Sequence, residues 1–140
     1  MFCRIAGDTH DEENLVVHRD RYNFVVLNRY PYTSGHLMVV PYAHADALSS
    51  LEAEAAREMM DLVRLSERHL RETYKPEGLN IGMNMGESAG AGIAGHIHMH
   101  VLPRWHGDAN FMTTIGETRI LPEDLSATWQ RLHRAFSAGR

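Results

Sequence analysis

Apolar and polar residues alternate strictly in one stretch of the chain, between residues 95 and 104. Its sequence is Gly95-His96-Ile97-His98-Met99-His100-Val101-Leu102-Pro103-Arg104. Strict alternation is typical of a half-buried β-strand, because successive side chains point to opposite faces. The pattern predicts that Ile97, Met99 and Val101 enter a core and that the three histidines line one open face, roughly 6.6 Å apart along the strand. Imidazoles at this spacing suit contact with a chain of phosphates or with a metal ion.

Four other stretches have the composition or the alternation of strands. They cover residues 15–18, 22–28, 36–41 and 79–86. In the second stretch Phe24 and Val26 share a face with Asn28, and in the third His36 and Met38 share a face. In the fourth stretch asparagines and glycines occupy one face, which lets a ligand or another backbone approach closely.

Two helices are predicted from apolar residues spaced three, four and seven apart. The first follows a capping-box pattern, Ser49 with Glu52 three residues later, and runs to about Tyr74. The second is predicted to begin at Pro122, because proline is favoured at the first helical position. Residues 7–14 are polar and are predicted to form a loop.

Composition restricts the class of protein. The chain has 140 residues, 44% of them hydrophobic, so a single domain with a sizeable core is expected. Five closely connected strands and two helices indicate an α+β domain over residues 1–140. A net charge of -4 argues against nucleic-acid binding. The single cysteine excludes an internal disulfide, and no stretch resembles a membrane span or a signal peptide, which favours a cytoplasmic location.

A glycine-rich loop, residues 86–95, connects the fourth predicted strand to the histidine run. A return of the chain at this loop brings Asn84 and the loop beside the imidazoles. Small residues let backbone N–H groups approach phosphate oxygens. The loop is therefore predicted to bind phosphate next to the histidines.

The histidine run resembles the signature of the histidine triad (HIT) family, in which three histidines alternate with apolar residues. The resemblance extends to Asn28-Arg29-Tyr30-Pro31 with Gly35-His36-Leu37-Met38-Val39, and to residues 78–95. Pro103-Arg104-Trp105 and Gly107-Asp108-Ala109-Asn110-Phe111-Met112 resemble the branch containing bacterial and archaeal diadenosine tetraphosphate phosphorylases. The fragile-histidine-triad hydrolases of dinucleoside polyphosphates are related to that branch. The chain is thus identified as a member of the HIT family.

This resemblance implies a fold and a reaction. The HIT-like fold is a five-stranded antiparallel sheet with two helices, which usually dimerises through the sheet. His98, the central histidine, is implied to attack the α-phosphorus of a dinucleoside polyphosphate and to form a nucleotidyl-histidine. His96 and His100 are implied to orient this nucleophile and to donate to phosphate oxygens. Phosphate or water then releases the mononucleotide, so phosphorolysis and hydrolysis both stay open.

The same resemblance implies a set of residues around the triad. His36 supports the triad from a neighbouring strand, Asn28 binds the ribose and Asn84 faces the phosphates. Further side chains complete the predicted nucleotide site. They are Phe24, Val26 and Met38 around the base, Ser88, Gly90, Ala91 and Gly92 in the loop, and Trp105 over the substrate or on a partner subunit. The alternative for the trio around the base is ordinary core packing.

Two departures from the family pattern limit these expectations. Many bacterial relatives hold structural zinc with Cys-x-x-Cys and two histidines. Only Cys3 is present here, so His44 and His96 are not expected to hold zinc tightly, unless a second cysteine lies upstream of the chain. Ala91 and Gly92 stand where some relatives carry polar side chains that position phosphate. No metal or tightly bound cofactor is expected, and Mg2+ is expected to arrive with the substrate.

Three other functions are compatible with these residues. A nucleoside phosphoramidate hydrolase of the same family normally carries a different tail after the triad. A non-catalytic nucleotide sensor keeps the triad without turnover. A three-histidine metal enzyme fits the spacing, although histidines two apart usually supply two ligands while a third comes from another strand. The expected partners are a nucleotide substrate and further copies of the chain, as a homodimer or higher homo-oligomer, without nucleic acid or membrane.

Overall fold

The computed structural model describes residues 1–117 and 123–139, which form a five-stranded antiparallel sheet with helices. The strands are β1 (Val16–Arg19), β2 (Asn23–Leu27), β3 (Leu37–Pro41), β4 (Gly78–Gly82) and β5 (Met99–Arg104). The helices are α1 (Phe2–Ala6), α2 (Asp11–Asn14), α3 (Ala53–Tyr74), α4 (Phe111–Thr114) and α5 (Leu125–Ser137). The α+β class predicted from the sequence is confirmed.

The strands lie in the order β1-β2-β3-β5-β4, and every neighbouring pair is antiparallel. In the pair formed by β3 and β5, Met38 lies opposite His100. Since side chains alternate along a strand, His36, two residues before Met38, lies on the same face as His100. The register of two strands distant in sequence therefore brings these histidines together.

The two long helices cover the opposite face of the sheet. The Asn23 side chain of β2 donates to the Ala55 carbonyl of α3 (3.0 Å), which identifies the face turned toward α3. The buried stripe of α3 contains the predicted Met59, Leu62 and Leu70, while α5 packs on β1 and α3. No helix among the described residues is long and apolar enough to cross a bilayer. Helices on one face leave the other face available for the histidines.

Gly35 allows the connection between β2 and β3 to pack tightly against α3. Its φ is +83°, and a Cβ at this position would lie 3.1 Å from Leu70 Cδ2 and 3.2 Å from Tyr74 Cε2. A side chain would therefore suffer both backbone strain and steric overlap. This close approach fixes the start of β3 and with it the position of His36.

The predicted element boundaries are wrong at several ends. Ser49 lies in a 3₁₀ turn, and α3 begins only at Ala53 with Glu52 at the N-cap position and no side-chain cap. The last helix begins at Leu125 and is capped by Asp124, whose Oδ1 accepts from the Ala127 N–H (2.8 Å). The predicted start at Pro122 lies outside the described residues.

Two predicted segments differ from the structure in kind or length. The predicted loop over residues 7–14 contains the short helix α2, whose cap residue Leu15 adopts a left-handed conformation (φ 62°). The predicted strand over residues 79–86 ends at Gly82 in the ladder. Beyond that point the chain leaves β5, because the glycine-rich loop folds on itself.

Candidate active site

The structure places the triad histidines in different environments. Only His100 lies within β5, whereas the N–H of Ile97 donates to the Ala45 carbonyl (2.8 Å) instead of a neighbouring strand. His96 and His98 are 2% and 7% exposed, and His100 is half-buried. The prediction of an open row of histidines on one strand is therefore wrong, because loop carbonyls replace the ladder in its first half.

A backbone carbonyl fixes the tautomer of His98. Its Nδ1 lies 3.0 Å from the carbonyl oxygen of His96. Since a carbonyl can only accept, Nδ1 carries the proton and Nε2 keeps its lone pair. The His98 ring lies beside that of His100, with centroids 4.8 Å apart and planes at 70°. A neutral imidazole held in this way is a competent nucleophile at Nε2.

A chain of hydrogen bonds fixes the tautomer of His100. The Tyr32 N–H donates to His36 Nδ1 (3.2 Å), so the His36 proton sits on Nε2. That Nε2 lies 2.8 Å from His100 Nδ1, which must accept. His100 therefore carries its proton on Nε2 and can donate it to an oxygen of a ligand. Sequence reasoning found both histidines but missed Tyr32, whose ring also lies 4.9 Å from that of His36.

Burial keeps two triad histidines neutral. Desolvation lowers the pKa of His100 to about 4, and the neighbouring His98 acts in the same direction. Desolvation also lowers the pKa of His96. Near pH 7 these rings are therefore neutral, as the hydrogen-bond chain requires.

Cys3, His44 and His96 converge next to the triad. The Cys3 Sγ lies 3.2 Å from His44 Nδ1 and 3.5 Å from His96 Nδ1. His96 Nε2 donates to the Pro41 carbonyl (2.9 Å), which leaves Nδ1 as the lone-pair atom facing the thiol. Three donors within 4.8 Å of one another match three corners of a tetrahedral zinc site. A structural zinc site closes with four protein ligands, and the described residues supply three here.

Phe2 of α1 contacts the triad and was not predicted as part of the site. Its ring centroid lies 5.4 Å from that of His96 and 5.1 Å from that of His98, and the side chain is 1% exposed. The available signal is the spacing of Phe2 and Ile5, both buried, on one side of a short helix. Helix α1 thus forms a wall beside His96 and His98.

The predicted base pocket does not form as expected. Phe24, Val26 and Met38 are 0%, 2% and 5% exposed, and the Phe24 ring packs against Tyr42. This burial contradicts the prediction that the trio walls an open pocket, and it agrees with the core alternative. Only Met38, opposite His100 in the sheet, adjoins the triad.

The glycine-rich loop is held by hydrogen bonds within itself. Asn84 Nδ2 donates to the Gly90 carbonyl (3.2 Å), so these two predicted residues do lie together. The N–H groups of Gly90 and Ala91, expected to face phosphate, donate to carbonyls within the loop (2.9 and 3.3 Å). Ser88 and Gly92 are exposed. Of the loop groups predicted to bind phosphate, the Asn84 and Ser88 side chains and the Gly92 backbone therefore remain as candidates.

Asn28 lies close to the histidines, whereas Trp105 lies far from them. The N–H of Asn28 donates to the His36 carbonyl (2.9 Å), and its Oδ1 accepts from the Tyr30 N–H (2.9 Å). Asn28 therefore adjoins His36, the histidine that contacts His100. Trp105 follows the far end of β5, where it is half-buried and lines a cavity with Tyr32.

An antiparallel sheet in which a run of three alternating histidines leads into β5, with a fourth histidine directly before the adjacent β3, defines a histidine triad domain. The HIT domain family model matches residues 9–107, and the chain belongs to this family. It is 46% identical over 118 residues to an AP-4-A phosphorylase from Mycobacterium tuberculosis, covering 84% of this chain and 60% of that protein. It is 26% identical over 91 residues to a bis(5'-adenosyl)-triphosphatase from Saccharomyces cerevisiae, covering 64% and 44%.

A solved structure confirms the fold. A Zn-bound histidine triad family protein from Mycobacterium smegmatis superposes with a TM-score of 0.78 at 29% identity, covering 98% of this chain and 92% of that one. The chain spans about 60% of the length of the mycobacterial phosphorylase it matches. The identification of the sequence as a HIT protein is therefore confirmed.

Proposed function

We propose that this protein is a nucleotidyl-transfer enzyme that cleaves dinucleoside polyphosphates of the diadenosine tetraphosphate type. The observation that carries the proposal is the pair of fixed tautomers, a lone pair on His98 Nε2 beside an N–H on His100 Nε2. Such a pair suits attack on phosphorus together with donation to a phosphate oxygen. The names of the relatives from Mycobacterium tuberculosis and yeast support a diadenosine polyphosphate as the substrate class.

In the first step the His98 Nε2 lone pair attacks the α-phosphorus. The new N–P bond replaces the bond to the bridging oxygen, and the remaining polyphosphate leaves with that electron pair. The positive charge on the imidazole is stabilised by the His96 carbonyl, which accepts from Nδ1–H. His100 Nε2–H donates to a non-bridging oxygen as charge gathers there.

In the second step an oxygen of phosphate or water attacks the nucleotidyl-histidine. The P–N bond breaks, its electron pair returns to His98 Nε2, and the proton of the acceptor passes to solvent. The product is a nucleoside diphosphate with phosphate as acceptor and a nucleoside monophosphate with water. Both steps use the His98 imidazole, so loss of this residue is expected to stop the reaction.

The test replaces His98 by alanine. We expect His98→Ala to lose turnover of diadenosine tetraphosphate by at least about 1,000-fold while it still binds the substrate, because the covalent route disappears and most contacts remain. Brief incubation of the unchanged protein with substrate, followed by acid-free proteolysis and mass spectrometry, is expected to show a nucleotidyl group on His98. Substantial turnover by the variant, or an adduct on another residue, would contradict the assignment.

We further propose a homodimer, with Mg2+ bound to the substrate polyphosphate and no tightly bound zinc. Among the described residues no strand pairs with the outer edge of β4, since the order β1-β2-β3-β5-β4 leaves this strand at the margin, and this edge supports dimerisation through the sheet. The three donors at Cys3 support a weak, exchangeable metal site. Metal analysis after dialysis is expected to find well under one zinc per chain, and one zinc per chain would overturn this expectation.

A further inference from the structure

A cavity of about 520 Å³ lies at the far end of β5 from the triad. We call it the distal pocket. Its lining includes Tyr32, Ser34, Tyr74, Trp105, Asn110 and Arg131. Three aromatic side chains from three separate segments, the β2–β3 connection, the end of α3 and the loop after β5, share this wall. The volume and the aromatic walls suit a flat, ring-containing ligand.

The charges of the distal pocket do not favour a phosphate. Arg131 lies 3.1 Å from a carboxylate oxygen of Glu123, so its charge is paired. The other carboxylate, Asp108, accepts two hydrogen bonds from Arg104 (2.7 and 2.8 Å). Among the described lining residues no cation lacks a carboxylate partner. An uncharged ligand therefore fits this pocket better than an anion.

The pocket offers hydrogen-bond donors to such a ligand. The Ser34 side chain is 7% exposed, and its hydroxyl has no hydrogen-bond partner among the described residues. A buried hydroxyl without a partner destabilises the fold, and a ligand acceptor that reached it would satisfy it. The Asn110 Oδ1 is used by the Met112 N–H (2.9 Å), so its amide presents N–H groups. A nucleobase, flat and rich in acceptor nitrogens, matches these donors.

A second, smaller cavity adjoins the distal pocket. It has a volume of about 240 Å³ and shares Tyr32, Thr33 and Asp108 with the distal pocket. Leu102 also lines it, on the same sheet face as His100 and about 6.6 Å along the strand. The Tyr32 ring stacks near that of His100, with centroids 6.4 Å apart. Through Tyr32 and the smaller cavity, a groove therefore runs from beside His100 toward the distal pocket.

From this geometry we propose that the distal pocket binds the nucleoside of the departing half of the dinucleoside polyphosphate, with its base against Trp105 and Tyr32. The proposal rests on the proposed function, since it assigns the substrate's second end. One half of the substrate then reacts at His98, the polyphosphate follows the groove, and the second base is recognised by stacking rather than by charge.

The test compares diadenosine tetraphosphate with adenosine 5'-tetraphosphate, which lacks only the distal nucleoside. Binding is measured by calorimetry in the His98→Ala background, so that turnover is not needed. Stacking of a base on an aromatic ring is worth about 1–3 kcal/mol, so Trp105→Ala is expected to weaken binding of the dinucleotide about tenfold. Ser34→Ala is expected to weaken it about threefold, and binding of the tetraphosphate is expected to change less than twofold in both variants.

Trp105→Phe, which keeps an aromatic face, is expected to restore most of the affinity, and Tyr30→Ala is the control, because Tyr30 is exposed and outside the pocket lining. Equal weakening of both ligands, or no weakening of either, would overturn the proposal. So would equal affinities of the two ligands for the otherwise unchanged protein. Selective weakening without any turnover by the natural sequence would support the pocket and refute only the proposed reaction.

Discussion

The roles of single ring nitrogens in this site follow from hydrogen bonds with unambiguous partners. The His96 carbonyl can only accept, which places the proton of His98 on Nδ1. The Tyr32 N–H can only donate, which sets the proton positions of His36 and then His100. Two neighbouring imidazoles are thus held in opposite states, one with a lone pair at Nε2 and one with an N–H at Nε2.

Removing the relay histidine is expected to impair catalysis more than binding. His36→Leu leaves His100 Nδ1 without its donor, so the ring can rotate or change tautomer. We expect kcat for diadenosine tetraphosphate to fall about 100-fold with a small change in KM. His36→Gln, which keeps an N–H near the same place, is expected to retain more activity. Steady-state kinetics of both variants, with thermal melts to confirm folding, measure this; equal kcat values in folded variants would contradict the relay.

The buried His100 predicts a pH dependence of stability. Its folded pKa of about 4 lies below the unfolded value near 6.5, so only the unfolded chain gains a proton between these values. Its contribution to the free energy of unfolding is complete above pH 6.5 and is lost as the pH falls toward 4. His96 acts in the same direction, whereas the raised pKa of the exposed His10 acts in the opposite one.

Urea unfolding at pH 7.0, 5.5 and 4.5 measures this effect. We expect the free energy of unfolding to fall by on the order of 1 kcal/mol more in the natural sequence than in His100→Asn, which cannot titrate. The difference between the two proteins isolates His100 from the other titrating groups. Identical pH slopes would show that His100 is not kept neutral by folding.

The identities of the site residues were predictable from the sequence, but their surroundings were not. The interleaved histidines mark the site because no ordinary strand needs three of them. Their burial depends on carbonyls of Pro41 and Ala45, more than fifty residues upstream in sequence, which no local pattern reveals. Phe2 was missed for the same reason, because its contact with His98 spans almost the whole domain.

At the scale of elements, secondary structure was predicted correctly where a helix or strand carries a clear pattern along its length. The stripe of α3 repeats over 22 residues, and β2 and β3 were identified from their β-branched content. Short elements failed, because α2 has four residues and too few contacts of its own to impose a pattern. The capping box failed because the buried, extended Leu51 interrupts the chain before α3 can begin.

The free edge of β4 is predicted to be the dimer contact. Ile81 on this strand is 45% exposed, although Val101, its partner on β5, is buried. A dimer across this edge brings Ile81 near its symmetry-related copy, so Ile81→Lys would place like charges together. We expect this substitution to weaken the dimer at least about tenfold in sedimentation at micromolar concentration.

Leu48→Lys is the matched control, since Leu48 is 43% exposed but lies outside the sheet. That variant is expected to sediment as the natural protein does. A natural protein that is monomeric and fully active at micromolar concentration would rule out a dimer as a requirement for the site.

At the scale of the whole molecule, the sheet has one face that packs against helices and another that carries the histidines. Its helical face packs against α3, whereas its other face carries the buried Phe24 and Met38 together with the histidines, and Phe2 of α1 covers part of it. This division was predictable, because the α3 stripe and the histidine run each needed one face. The cover provided by α1 was not, because Phe2 contacts His96 and His98 from a distant part of the sequence.

The choice between phosphate and water as acceptor is a property of this whole face. The N–H groups of Gly90 and Ala91 donate to carbonyls within the loop, which weakens a backbone site for phosphate. Asn84 and Ser88 still offer polar side chains. Similarity to a phosphorylase over 84% of the chain outweighs the two departures in the loop.

We therefore expect phosphorolysis: with diadenosine tetraphosphate and millimolar labelled phosphate, label enters ADP, and ATP is the second product. Ser88→Ala is expected to raise the KM for phosphate several-fold without changing the rate in its absence. AMP as the dominant product at saturating phosphate would place the protein among the hydrolases.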